Sequence, residues 1–199
     1  LTDVTGVQTC ALPILEDFSE IIKACISGDD RARGKLYRLL APKMYGLCLR
    51  YAKNSAEAED NLQDGFLTVF SKLGDFRHEG SFEGWVRRIM VNISVDRYRK
   101  KQQLVLVDEY KNLDSSTGEE EALAGLPAED IVKMIQELPP QYRMVFNLYV
   151  MEGYNHAEIS RELGISEGAS KSDLSRAREI LRKKLQGQYG MMKKSRKYS

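Results

Sequence analysis

Apolar side chains recur along most of this chain at the three-to-four-residue spacing of an amphipathic helix, and nowhere at the two-residue spacing of a strand. Phe18, Ile21, Ile22 and Cys25 form the first stripe, and Gly28-Asp29-Asp30 punctuates it. Leu36, Tyr37, Leu39 and Leu40 follow. Pro42 then opens what reads as a separate stripe through Tyr45, Leu49 and Tyr51. Ser55 can cap a helix with Glu57 and Glu59 in its first turn, where the helix dipole favours acids. Its apolar face is Leu62, Phe66, Val69, Phe70 and Leu73, and Gly74 ends it. A polar loop from Asp75 to Ser81 leads to a helix over 82–101.

Residues 102–126 break this rhythm. DSSTGEEEALAG lacks bulky apolar side chains and is rich in acid, the composition of a flexible tether. Helical signals return at Pro127, with Ile131, Met134, Ile135 and Leu138 on one stripe stopped by Pro139-Pro140. Tyr142, Val145, Phe146, Tyr149 and Val150 form the next, closed by Gly153. The expected fold is all-α: two small helical domains, 15–101 and 127–189, joined by a flexible acidic linker, 102–126. A basic tail, 190–199, closes the chain. The opening LTDVTGVQTCALPI has no helical period and no initiator Met, so 1–14 is set apart as a non-native or disordered leader.

Charge sharpens this division. The net charge of +1 hides opposed blocks. Residues 161–199 carry eleven bases against four acids, net +7, whereas 108–130 carry eight acids against Lys111 alone, net −7. Such segregation points to a polyanion-binding end beside an acidic connector. The three cysteines, Cys10, Cys25 and Cys48, have no ligand-like spacing and read as thiols of a reducing cytoplasm, with Cys25 and Cys48 buried. No apolar run approaches the roughly 18 residues of a membrane span.

The most specific stretch is GYNHAEISRELGISEGASKSDLSRAREILRKKL, from Gly153 to Leu185. Asn155 with Glu158 three residues on makes a capping-box variant. Ile159 and Leu163 face inward, Gly164 supplies a turn, Ile165 plugs the corner and Ser166 caps the following helix. This is the pattern of a helix-turn-helix whose second helix can enter a major groove. Leu174, Ala177, Leu181 and Leu185 tie that helix to its domain. Lys171, Ser172, Ser175, Arg176 and Arg178 are left for bases and phosphates.

These residues resemble the promoter-reading C-terminal domain of the extracytoplasmic-function sigma factors, whose text runs close to GISEGTVKSRLSRAR. Ser170 stands at a place usually apolar there and predicts looser packing. Asp173 stands where a base is common and predicts weaker phosphate attraction. The N-terminal half agrees. AEAEDNLQDGFLTVFSKL, from Ala56 to Leu73, resembles the helix with which sigma factors grip the clamp helices of the polymerase large subunit, and Asp60, Gln63 and Asp64 match its polar face. Asn61 occupies a usually apolar place. FRHEGSFEGWVRRIMVNISVDRYRKK, from Phe76 to Lys101, resembles the element that melts and reads the downstream (−10) promoter box. The resemblance implies that Asn92, Asp96, Arg97, Arg99 and Lys100 face DNA, that the loop His78 to Phe82 helps capture a flipped base, and that Trp85 is core. Rings interleaved with cations suit single strands, since rings stack on bases while cations hold the backbone.

The resemblance implies a cytoplasmic subunit directing core RNA polymerase to promoter DNA, with the C-terminal domain on the upstream (−35) box and an anti-sigma factor as a further partner. It implies no catalytic residue, no cofactor and no small-molecule substrate. The linker is long enough to set the two domains on separate boxes. Its 25 residues, at up to about 3.4 Å each, reach about 85 Å, and two turns of duplex need about 70 Å. Glu57, Glu59, Asp60 and Asp64 could suggest a metal, but no His or Cys joins them, so no metal site is expected. The rival reading is a stand-alone helix-turn-helix regulator. It would need a dimerisation element, and none is legible, and it would leave the first domain without a purpose.

Overall fold

A computed structural model describes residues 18–104 and 127–195, with side chains described through 102 and from 127 to 186. The expectations for 1–14, for most of the acidic linker and for the end of the tail fall outside these residues.

The first unit holds four helices: α1 (Ser19–Ile26), α2 (Asp30–Tyr51), α3 (Ser55–Ser71) and α4 (Phe82–Leu104). Their starts follow local chemistry. Asp29 caps α2 by accepting from the Arg31 and Ala32 amides at 2.8 and 3.3 Å. Asn54, one residue before the expected Ser55, caps α3 through the Glu57 amide at 2.9 Å. Ser81 Oγ accepts from the Gly84 amide at the head of α4. Pro42 does not divide the chain: α2 runs through it unbroken. Leu36, Leu40, Met44, Leu47, Cys48 and Tyr51 all bury one continuous face, and that burial outweighs the single hydrogen bond a proline removes. Helix α4 extends to Leu104, three residues beyond the expected domain edge.

The second unit holds α5 (Ala128–Gln136), α6 (Pro140–Phe146), a π-helical turn over 147–151, α7 (His156–Leu163) and α8 (Glu167–Ser195). Helix α8 crosses the expected boundary at 189 and continues into the basic tail. The described residues contain no strand, as expected of an all-α chain.

The two units dock, and their buried apolar side chains form one cluster. The contact is built on the C-terminal end of α2, where helical carbonyls lack intrahelical partners. Gln136 donates to the Leu49 carbonyl at 3.0 Å, Asn147 to that of Arg50 at 2.8 Å and Arg143 to that of Ala52 at 3.0 Å. Arg143 also donates to the Gln136 carbonyl at 2.8 Å, and Asn147 to that of Arg143 at 2.9 Å.

Candidate nucleic-acid interface

The corner between α7 and α8 forms as its sequence dictates. Asn155 accepts from the Glu158 amide at 2.9 Å, and the Glu158 carboxylate accepts from the Asn155 amide at 2.8 Å. Gly164 sits at φ 68°, a left-handed conformation that only glycine adopts cheaply. Ser160 Oγ donates to the Ile165 carbonyl at 2.5 Å across the turn, and Ser166 Oγ accepts from the Ala169 amide at 3.1 Å.

Helix α8 buries Ser170, Asp173, Leu174, Ala177, Leu181 and Leu185. Two of these are polar, and both are partnered. Ser170 Oγ lies 2.9 Å from His156 Nδ1, so this place is sealed by a hydrogen bond where looser packing was expected. The His156 ring stacks on Tyr149, centroids 4.7 Å apart. Burial pulls the imidazole below its ordinary value, and Lys171 adds to this. Asp173 accepts from Gln141 Nε2 at 2.6 Å. It points into the domain, so the expected weakening of phosphate attraction has no exposed carboxylate behind it.

The side chains named for the upstream box divide in two. Lys171 and Ser172 are exposed at the head of α8, with Ser175 half-exposed one turn on. Arg176 and Arg178 are half-buried: Arg176 Nη1 reaches the Tyr142 hydroxyl at 3.5 Å, and Arg178 lies over the Tyr149 ring at 5.8 Å.

On α4, Asn92, Asp96 and Lys100 share one exposed stripe. Arg88, four residues before Asn92, is exposed on the same stripe. It is absent from the residues the resemblance assigns, although its spacing was the available signal. Arg97 and Arg99 turn aside. Arg97 binds Asp60 and Asp64 of α3 at 3.5 and 2.5 Å. Arg99 donates to the Arg161 carbonyl at 3.1 Å and lies 3.6 Å from Glu162, both on α7. Ahead of α4, Phe76 packs on His78, Phe82 and Trp85 at 4.7, 5.1 and 5.6 Å. Trp85 is half-buried and packs against the core, and His78 takes a left-handed φ of 56°.

On α3, Asp60, Gln63 and Asp64 are exposed together, as their spacing implies, and Asn61 is buried. Leu67, on the same face and 62% exposed, was missed; three-to-four-residue spacing from Gln63 and Asp64 was again the signal. Burial pushes the Cys48 thiol up to about 12 and raises that of Cys25, so neither is a ready nucleophile. No group of three or more His, Cys, Asp or Glu among the described residues could hold a metal ion, and no helix there is long and apolar enough to cross a membrane.

Together these elements make a helical protein with a capped helix-turn-helix at one end and an exposed polar stripe on a long helix at the other. Two family models match it: Sigma-70 region 2 over residues 36–103, and Sigma-70, region 4 over 121–181. The chain is 31% identical over 166 residues to the ECF RNA polymerase sigma factor SigM of Mycobacterium tuberculosis, covering 82% of each. It is 31% identical over 176 residues to the ECF RNA polymerase sigma factor SigW of Bacillus subtilis, covering 82% of this chain and 94% of SigW. Among solved structures it is similar to the sigma factor RpoE in complex with the anti-sigma factor NepR from Bartonella quintana. There the identity is 21%, the coverage 77% of this chain and 96% of that one, and the TM-score 0.47. The chain belongs to the extracytoplasmic-function sigma factors of the sigma-70 family. Sigma factors are the regulatory DNA-binding subunits that direct core RNA polymerase to specific promoters and initiate transcription.

Proposed function

We propose that this sigma factor divides its work among three surfaces. Asp60, Gln63 and Asp64 on α3 grip the clamp helices of the large polymerase subunit. Asn92, Asp96 and Lys100 on α4, with the loop 78–82, melt and read the −10 box. Lys171, Ser172 and Ser175 at the head of α8 read the −35 box, with Arg176 and Arg178 closing in from the flanks of that helix. The domains behind this division are 15–101 and 127–189, tethered by 102–126. The subunit works in the cytoplasm, performs no catalysis itself and is held in check by an anti-sigma partner.

The observation that carries this reading is the set of three polar side chains exposed on α3 while its opposite side buries Asn61, Leu62, Phe66 and Val69. A polar face dispensable to the core is available for a partner, and the similarity of this segment to Sigma-70 region 2 makes the polymerase the partner proposed. The test is Asp64→Arg. Asp64 is exposed but paired with Arg97, so the change costs folding about the 0.2–1 kcal/mol of a surface ion pair, whereas charge pairs at interfaces couple by a few kcal/mol. The variant should melt only slightly below the parent and lose core polymerase in a titration. Undiminished binding, together with promoter protection by the protein alone, would favour the stand-alone regulator.

A further inference from the structure

Asp60 and Asp64 stand four residues apart on one helix face, where like charges repel. A single guanidinium answers both: Arg97 Nη1 lies 3.5 Å from Asp60 Oδ2, and Nη2 lies 2.5 Å from Asp64 Oδ2. Arg97 comes from the neighbouring helix α4 and is 25% exposed, so it is held more firmly than the carboxylates, which are 68% and 54% exposed. The crossing that brings it there is tight. At Gly65, next to Asp64, a Cβ would fall 2.1 Å from Met90 Sδ, so glycine lets α4 lie close against α3.

We infer that Arg97 is a positioning residue for the polymerase-binding face. The inference rests on the proposed role of Asp60 and Asp64 and adds a residue of another helix, one that sequence resemblance assigns to DNA. A planar fork shared between two carboxylates fixes both in direction, as a lysine point charge cannot. Each carboxylate keeps its second oxygen and much of its surface open to an incoming cation. Free aspartates on an exposed turn must be ordered when a partner arrives, at a cost in affinity. Arg97 orders them beforehand.

The test is a titration of core polymerase, without DNA, against full-length parent, Arg97→Ala, Arg97→Lys and Asp64→Arg, with melting curves for each. Arg97→Ala should bind core about two- to fivefold more weakly, the range of an exposed ion pair, and Arg97→Lys should fall between it and the parent. Asp64→Asn should cost less affinity in the Arg97→Ala background than in the parent, a coupling that a merely structural role would not produce. Parental affinity in Arg97→Ala beside a clear loss in Asp64→Arg would overturn the positioning role and leave the α3 face standing. Parental affinity in Asp64→Arg would overturn the face itself. Should Arg97→Ala melt early, Arg97→Lys decides: parental affinity there overturns the inference, and weakened affinity with a parental melt supports it.

Discussion

Arg87 on α4 and Glu152, between the π-helical turn and α7, meet in a two-point ion pair: Nε to Oε2 at 2.7 Å and Nη2 to Oε1 at 2.8 Å. The Glu152 side chain is 7% exposed and Arg87 39%, and Arg87 also donates to the Met151 carbonyl at 3.2 Å. Arg50 stands behind at 3.9 Å. The pair bridges the two helical units. Arg87→Ala leaves a buried carboxylate with one distant cation, at a cost below the 3–5 kcal/mol of a fully buried pair because Arg87 is partly in water. A loss of about 1–3 kcal/mol in urea unfolding is expected, and Glu152→Gln should lose less. Equal stability of Arg87→Ala and parent would mean that the units do not rely on this contact.

Asp173 gives a pH signature. Burial raises its carboxyl above the ordinary value, against the Gln141 hydrogen bond and the Arg176 charge that pull it down. The folded state therefore holds the proton more tightly than the unfolded chain. The stability this adds is complete below the ordinary carboxylate pKa of about 3.9 and is lost as pH rises through the folded value. Asp173→Asn cannot titrate. The difference in unfolding free energy, variant minus parent, should rise as pH climbs above the ordinary carboxylate value of about 3.9 and level off once Asp173 is ionised in the folded state. A flat difference would contradict the raised carboxyl.

Gly164 is a backbone requirement and nothing else, since a Cβ there meets no atom within 4 Å. Gly164→Ala should cost about 1 kcal/mol through the left-handed conformation alone. Thermal unfolding should report the loss while polymerase titration stays parental. A neutral substitution would show that the corner relaxes without penalty.

Two cations of α8, Lys171 and Arg176, should separate by experiment. Lys171→Ala, at an exposed site, should weaken all upstream-box sequences alike and lower the salt slope by about one. Arg176→Ala should also weaken recognition, and lower stability, because Arg176 lies 3.9 Å from the buried Asp173. Holoenzyme binding to permuted promoters at several salt concentrations distinguishes the two. Unchanged binding by both variants would remove α8 from the groove.

What was legible in the sequence follows from range. Asn155, Glu158, Gly164 and Ser166 act within a few residues of themselves, so the helix-turn-helix could be read from text. Pro42 is also a local signal, and it misled because burial of Leu40, Met44 and Leu47 overrides it. Ser170 and Asp173 looked misplaced because the groups that satisfy them, His156 and Gln141, lie 14 and 32 residues away. Arg97 and Arg99 carry the right charge for DNA, but their direction depends on where α3 and α7 lie, which no spacing within α4 reveals. The side chains that crown α2 donate across 87 to 97 residues and left no local trace.

That crown places an unequal burden on the two halves of the protein. Gln136, Arg143 and Asn147 recognise the peptide oxygens of 49, 50 and 52, which every amino acid carries. These three hydrogen bonds therefore ask nothing of the side chains at 49, 50 and 52, although burial of Tyr51 and Ala52 and the pairing of Arg50 with Glu152 constrain that end on other grounds. The three donors have no such freedom, since a shorter or apolar replacement leaves an acceptor unmet. As far as these hydrogen bonds go, divergence is permitted on the accepting side and forbidden on the donating one.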